Sequence, residues 1–385
     1  MNRDAHNSSR GVALIIVLAV VAILSVLVIE FSYSVWVNLY LSANYDARTQ
    51  ALNAAKAGVE YGIYLLRNDD DLRVDSLADQ WAAPIELTIG ELVPPPDPDE
   101  EENTVTDTDR RPDVRAHLVE PRVGGTAKVL IVDEDRKVPL NMLSYRGKPH
   151  PLFVRTLECL IENLEVADAY FDPTEIVEAM VDWADADETG SWEYVYETLT
   201  DPYKAKNRPF DTVDELGLVT EMRDALLYGT VPYPEREPGY DEDEQTSGQT
   251  SGWPEREDEL GPDESYGLIN FVHAQNSRKI NVNTAPKEVL AALFDGSTLV
   301  ADEIIERRRE EPFANSAVFG AAAQTVVGDE ALLREVAKWV TFSSRYFRIT
   351  AIGEYHGVRV KVTAIVHRSS RPDVLVQYYR IENVE

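Results

Sequence analysis

The sequence predicts an α+β protein. A long N-terminal helix, transmembrane in its lower half, is expected to lie on a small antiparallel sheet, with a large all-helical region between the sheet's strands in sequence. Three observations carry this. An apolar run near the N-terminus continues into a stripe of small residues at helical spacing. The C-terminal end alternates apolar and polar residues as strands do. Between them, from about Val138 to Trp339, helical patterns recur with cap residues at their starts.

The first element begins after Met1 to Gly11, a polar leader holding Arg3 and Arg10. Val12 to Ile29 is then apolar over eighteen residues except for Ser25. At 1.5 Å per residue this covers roughly 27 Å, close to a bilayer's hydrocarbon core. Arg3 and Arg10 precede the span, and Glu30 and an acidic body follow it. That asymmetry puts the N-terminus in the cytoplasm and the body outside. No small-x-small cleavage site follows Ile29, which disfavours a cleaved secretory signal. From Phe31 to Leu66 there is no proline, and the first glycine is Gly58. One helix from Val12 to about Leu66 would be roughly 80 Å long. Ala47, Ala51, Ala54, Gly58 and Gly62 lie three or four apart. Such a stripe admits close approach by another helix or by the protein's own sheet.

After the helix, mixed sequence runs to Leu92, and the stretch from Pro94 to Glu102 reads as an exposed loop. Val114 to Glu120 and Thr126 to Asp133 are expected strands joined by a Gly124-Gly125 hairpin. Three more are expected at the C-terminus: Tyr346 to Tyr355, Val358 to Arg368 and Val374 to Ile381, with turns at His356-Gly357 and near Pro372. Val358, Val360, Val362, Ala364 and Val366 alternate, marking one buried face.

Candidate helices in the middle are Leu152–Asn163, Pro173–Trp183, Val213–Leu227, Pro286–Phe294, Leu299–Arg309 and Glu330–Val340, with cap signals at Thr212, Thr284 and Thr298. The region also holds a faint repeat. Lys137-Val138-Pro139-Leu140-Asn141 parallels Lys279-Ile280-Asn281-Val282-Asn283, and Pro209-Phe210 parallels Pro312-Phe313. The asparagine-to-phenylalanine distance is 69 residues in one copy and 30 in the other. Two copies differing by an insertion, or chance similarity, would both give this.

Charge narrows the function. The chain carries 37 Lys+Arg against 68 Asp+Glu, a net −31. Such a surface repels nucleic acid. Residues 231–264 alone hold twelve acidic residues and two arginines. They read as a solvated loop, or as an acidic segment for a basic partner. The single cysteine, Cys159, excludes an internal disulfide and sits in an apolar stretch as an inert thiol. There is no nucleophile elbow, P-loop, His-Glu-x-x-His or Cys-x-x-Cys, and the six histidines are scattered, so no enzyme is expected.

The candidate metal site lies in Asp182 to Gly190. Closely spaced oxygen ligands followed by a glycine suit calcium. The spacing is not that of an EF-hand, because Tyr196 stands at position twelve. An irregular loop gathering Asp185, Asp187 and Glu193 around one calcium is one reading, and an acidic loop after a helix end is the other. Asp133-Glu134-Asp135 reads as a strand end beside a turn. Ile280 to Phe319 is similar to a helix-hairpin-helix unit, with Arg307, Arg308 and Arg309 placed where phosphate could be touched. Its hairpin has a single glycine, Gly296, and Glu306, Glu310 and Glu311 flank the arginines.

Arg10-Gly11 followed by Val12-Ala13-Leu14-Ile15-Ile16 resembles a type IV pilin-like N-terminus. In that family the prepilin peptidase cuts after the glycine, so the resemblance implies cleavage between Gly11 and Val12. Most members carry glutamate five residues after the cut, where this chain has Ile16. Such a buried carboxylate pairs with a neighbour's N-terminal amine, so a subunit without it is suited to a filament's top. The departure, the length and the Asp-Trp-x-Asp-x-Asp segment followed by tyrosines resemble the minor pseudopilin K family of type II secretion systems. The resemblance implies a leader (1–11), a long helix (12–66, transmembrane over 12–29), a head (67–137 and 340–385) and an inserted helical domain (138–339). The sequence alone would equally allow a separate domain. It further implies an inner-membrane protein with a periplasmic body at the pseudopilus tip. Its partners would be the other minor pseudopilins, the major pseudopilin, the prepilin peptidase and the inner-membrane secretion platform, with no nucleic acid. A membrane-anchored helix-hairpin-helix DNA receptor and the tip subunit of a type IV pilus are the alternatives.

Overall fold

A computed structural model describes residues 5–89, 124–164, 172–230, 266–369 and 373–384, with side chains from residue 16 onward. Helix α1 (Ala5–Arg67) runs unbroken for 63 residues, roughly 95 Å. It ends where the Asn68 side chain donates to the Tyr64 carbonyl at 2.7 Å. Strands β1 (Ile85–Ile89) and β2 (Gly125–Asp133) follow. The chain then enters a helical region through a two-residue strand, β3 (Val138–Pro139), and helices α2 (Pro151–Asn163), α3 (Pro173–Ala184), α4 (Glu193–Thr198) and α5 (Asp224–Tyr228). Two short strands, β4 (Val272–His273) and β5 (Ile280–Asn281), lead to α6 (Lys287–Leu293), α7 (Thr298–Glu310), α8 (Ser316–Ala323) and α9 (Glu330–Trp339). The short β6 (Val340–Thr341) returns the chain to β7 (Tyr346–Tyr355), β8 (Val358–Arg368) and β9 (Val374–Val384).

The five long strands form one antiparallel sheet in the order β1-β2-β7-β8-β9. The small-residue stripe of α1 lies on this sheet. Ala51, Ala54, Ala55, Val59, Ile63 and Leu66 are buried against Val129, Ile131, Ile349, Ala351 and Val362. A Cβ on Gly58 would lie 2.8 Å from Val129 Cγ2 and 3.1 Å from Ala351 Cβ, so only glycine lets helix and sheet approach this closely. The protein's own sheet therefore occupies the stripe. His356 and Gly357 both adopt positive φ in the β7–β8 turn, which matches strand twist in a tight hairpin.

Several expectations change. Val114–Glu120, the 94–102 loop, the acidic loop 231–264 and Pro372 lie outside the described residues. From Thr126 to Val129, β2 is flanked by β1 on one side and β7 on the other, so its hairpin neighbour there is Ile85–Ile89. The expected helix Val213–Leu227 divides into a 3-10 turn (Val213–Leu218) and α5. Val219 is extended and Glu221 is left-handed at φ 63°, which a continuous helix cannot contain. Thr212 closes a capping box with Glu215, as anticipated. Ser297, not Thr298, caps α7. The Thr284 hydroxyl is used elsewhere, on Asp133. α4 and α8 were not anticipated.

The insert has its own core, built from Phe153, Leu157, Met180, Tyr196, Leu290 and Phe319 among others. Cys159 packs at its margin, and burial pushes its thiol up, consistent with inertness. The sequence repeat is a structural one. Asn141 donates to the Phe210 carbonyl at 3.0 Å and accepts from the Phe210 amide at 2.7 Å. Asn283 does the same with Phe313, at 3.0 and 2.9 Å. Each copy opens on a two-residue parallel pairing, β3 with β4 and β5 with β6.

Buried polar groups join insert and head. Asp133 accepts from Thr284, Ser344 and Asn281. Arg368 binds Asp75 and Asp69, and the Asp75 carboxylate also accepts from the Ser344 amide. Burial opposes ionisation of Glu134, yet Lys137 and Arg348 beside it hold it down to about 2. Burial and then the neighbouring Asp133 push Asp135 up to about 8. The Asp133–Asp135 cluster is thus a structural joint whose own hydrogen bonds and ion pairs satisfy most of it.

Candidate functional site

The lower half of α1 stands clear of the body. From Ile16 to Tyr45 the large apolar side chains are exposed, with Val37 alone half-buried. Glu30 is the one charged residue between Gly11 and Asp46. Exposing so many apolar residues on a soluble protein would be ruinous, so this surface needs lipid or other helices around it. The helix is long and apolar enough to serve as a single-pass membrane anchor. Phe31, Tyr33, Trp36, Tyr40 and Tyr45 follow the span, with Trp36 and Tyr40 stacked at 5.8 Å. Aromatic rings with polar edges suit the membrane–water boundary. The band's residue types are legible in the sequence, at 31, 33, 36, 40 and 45. Ile16 is on the exposed helix, 57% accessible. Gly11 and Val12 lie within α1, where side chains are not described.

The loop between α3 and α4, residues 185–192, folds over the C-terminal end of α3. Asp182 accepts from the Trp192 amide at 2.7 Å, pinning the loop's far end. Gly190 sits directly on the Asp182 carboxylate, leaving no room for a side chain there. Burial pushes Asp185 up to about 6, with Asp187, Asp182 and Glu193 adding repulsion. Glu193 is also raised, first by burial and then by Asp182, Glu188 and Asp187. Asp187 is lowered by the hydroxyl and amide of Thr189, which donate to its Oδ1 at 2.6 and 3.0 Å. Asp185, Asp187 and Glu193 feel one another's charge, but their oxygens do not all fall within 4.8 Å of each other. The buried Oε1 of Glu193 finds no hydrogen-bond partner. The donors present are oxygens carrying mutual repulsion, the ligand type that calcium takes. Asp182 belongs to this group, and its place in the last turn of α3 was the signal for it.

Among the described residues, Asp69, Asp75 and Asp79 do converge within 4.8 Å. Arg368 already supplies the cation there, bonding both Asp69 and Asp75. In the α6–α7 hairpin the three arginines are engaged within the protein. Arg308 donates to the Val282 and Ala285 carbonyls at 2.8 and 2.7 Å, Arg307 pairs with Glu303 at 2.6 Å, and Arg309 pairs with Glu306 at 3.3 Å. Arg308 braces the hairpin against the repeat segment beneath it.

Two family models, both described as type II secretion system protein K, match residues 137–233 and 280–333. These two stretches of the chain are similar to that family. The first match opens at the Lys137 copy of the repeat and covers the loop between α3 and α4, and the second covers the Asn283 copy and the α6–α7 hairpin. A type II secretion system protein K from Pseudomonas aeruginosa is 26% identical over 321 residues, which are 80% of this chain and 75% of that protein. Among solved structures, the GspK-GspI-GspJ complex from the enterotoxigenic Escherichia coli type 2 secretion system contains a chain of the same fold. It has a TM-score of 0.58 at 16% identity, covering 90% of this chain and 99% of that one.

Proposed function

We propose that this protein is a member of the protein K family, a minor pseudopilin at the tip of a type II secretion pseudopilus, where it nucleates or caps the filament and aids protein export across the outer membrane. The observation that carries the reading is the free apolar half of α1, long enough to anchor the subunit and then to pack among the helices of a filament. The prepilin peptidase cuts between Gly11 and Val12, the N-terminus is cytoplasmic, and the body is periplasmic. Arg3 and Arg10 ahead of the span support that orientation. The partners are other minor pseudopilins, the major pseudopilin and the inner-membrane platform. Support comes from the fold neighbour, solved as a complex of three Gsp proteins. Head and insert act as two units, each with its own core. The role is mechanical, and no residue is assigned to catalysis.

Ile16 confines the subunit to the filament's end, because it offers no carboxylate to an amine above. Immunogold labelling of overproduced filaments tests this. Label should sit at ends, and Ile16→Glu should admit the subunit along the shaft or disturb assembly. Wild-type label along the whole length would refute tip placement. Asp185, Asp187 and Glu193, with Asp182, hold calcium in this reading. The ion relieves their repulsion and fixes the loop between α3 and α4.

A further inference from the structure

We propose that the groove between the insert and the sheet face turned away from α1 binds an acidic peptide segment of a partner protein through Arg146 and Arg278. The groove has a volume of about 710 Å³, within the roughly 300–1,000 Å³ usual for binding pockets. Its sheet wall is Ile365 of β8 with Gln377 and Tyr378 of β9. Ile365 pairs with Tyr378 on the face opposite Val362, Ala364 and Val366, which pack under α1. The opposite wall comes from the Tyr145-Arg146 turn and the 274–278 loop.

The two arginines share one platform. Arg146 Cζ lies 5.1 Å and Arg278 Cζ 5.8 Å from the centroid of the Tyr145 ring. That ring is fixed edge-on by Trp339 at 5.6 Å and His150 at 5.9 Å. Among the described residues neither guanidinium has a carboxylate within salt-bridge distance. Asp211 is in the wall, but Lys206 holds its Oδ2 at 2.8 Å. Two like charges on one ring, with no carboxylate paired to them among the described residues, favour a bound anion locally. Arg146 is also an unusual choice for its backbone. It sits at φ 58° before Gly147 at φ 75°, in a tight turn closed by the Tyr145 amide on the Lys148 carbonyl at 2.9 Å. Asn or Gly suits that place better, so the guanidinium rather than the turn accounts for the residue. Gln275, Asn276 and Gln377 supply amides for a peptide backbone, and Ile365 and Tyr378 supply an apolar floor. A bare inorganic anion would use the arginines and leave these walls idle.

The test uses the full chain in detergent and a capped, fluorescein-labelled hexaglutamate peptide, with hexaserine and inorganic phosphate as comparison arms. Hexaglutamate should bind and hexaserine should not. Arg146→Gln and Arg278→Gln should each weaken binding about tenfold or more, as expected for a lost charge-assisted bond. Both together should abolish it while the melting temperature stays put. Arg345→Gln, an exposed arginine outside the groove wall, should leave binding unchanged. Failure of hexaglutamate to bind would overturn the proposal, as would undiminished binding by the double variant. Displacement by phosphate at equal concentration would also overturn it, reducing the groove to a simple anion site.

Discussion

Replacing Gly353 by alanine should loosen α1 from the sheet more than any other single methyl in the head. Gly353 is in the interior of β7, paired with Ala127 and Val360, and its backbone conformation is ordinary for a strand. The cost is therefore steric. A Cβ built there falls well inside contact distance of the Ala51 carbonyl oxygen and the Ala55 amide, and 3.1 Å from the Ala51 carbonyl carbon. Those atoms belong to the helix backbone, which has no rotamer to change. The helix must rise by about 1 Å, and gaps of that size forfeit a quarter to a half of each dispersion contact. Val59, Ile63 and Leu66 are nearly fully buried in this interface. At about 1.5–3 kcal/mol for each fully buried side chain, the loss comes to about 2–4 kcal/mol. Gly58→Ala is the informative comparison. Its new methyl meets side chains, Val129 Cγ2 at 2.8 Å and Ala351 Cβ at 3.1 Å. Helix propensity returns about 1 kcal/mol there, so the net cost should be about 0–2 kcal/mol. Urea unfolding of the full chain in detergent gives both values, and hydrogen exchange across residues 51–66 localises the effect. A Gly353→Ala variant within about 0.5 kcal/mol of wild type, the usual scatter for surface changes, would refute the reasoning.

Asn283→Ala should cost about 2–4 kcal/mol in urea unfolding, because it orphans the buried amide and carbonyl of Phe313 together. Asp135, raised to about 8 in the fold, binds a proton that the unfolded chain gives up near 4. Its contribution is complete below pH 4 and is lost as pH rises toward 8, so the head–insert joint should weaken from pH 5 to pH 8 and Asp135→Asn should flatten that slope. Millimolar calcium should raise the melting temperature of the full chain over chelator, by the equivalent of about 2.7 kcal/mol at a hundredfold excess over Kd. Asp185→Ala with Asp187→Ala should remove that difference, and an equal shift in the double variant would falsify the site. N-terminal sequencing of membrane-extracted protein should begin at Val12, and a start at Met1 or beyond Ile29 would count against processing after Gly11.

What could be read in advance follows the range of the forces involved. The α1, α2, α3 and α9 helices and the β7–β8 hairpin are set by local pattern, caps and turn residues, and they were legible. β1 was not, because the Ile85–Ile89 alternation is only five residues long and its partner begins at Gly125. The break at Val219–Glu221 hid inside an apolar periodicity that a helix would also have satisfied. Asp185, Asp187 and Glu193 stood out through spacing and Asp182 through its place in the last turn of α3, but its bond to the Trp192 amide, ten residues on, had no sequence signal. The joint built by Asp75, Asp133, Ser344 and Arg368 had no sequence signal. Arg368 and Asp75 are 293 residues apart, and Ser344 and Asp133 are 211 apart. The Asn141–Phe210 and Asn283–Phe313 pairs were the exception, since repetition made a distant contact visible.

The insert hangs from the head by two chain segments, one leaving the end of β2 and one entering the start of β7. These strands are neighbours, with Asp133 paired to Phe347, so both attachments emerge side by side from the middle of the sheet. A filament that pushes or pulls against cargo through the insert would load β2 and β7 together, along their length. Their bonds to β1, to each other and to β8 would then bear the force in shear, many at once. Anchored instead to an edge strand, the same insert could be peeled away one bond at a time.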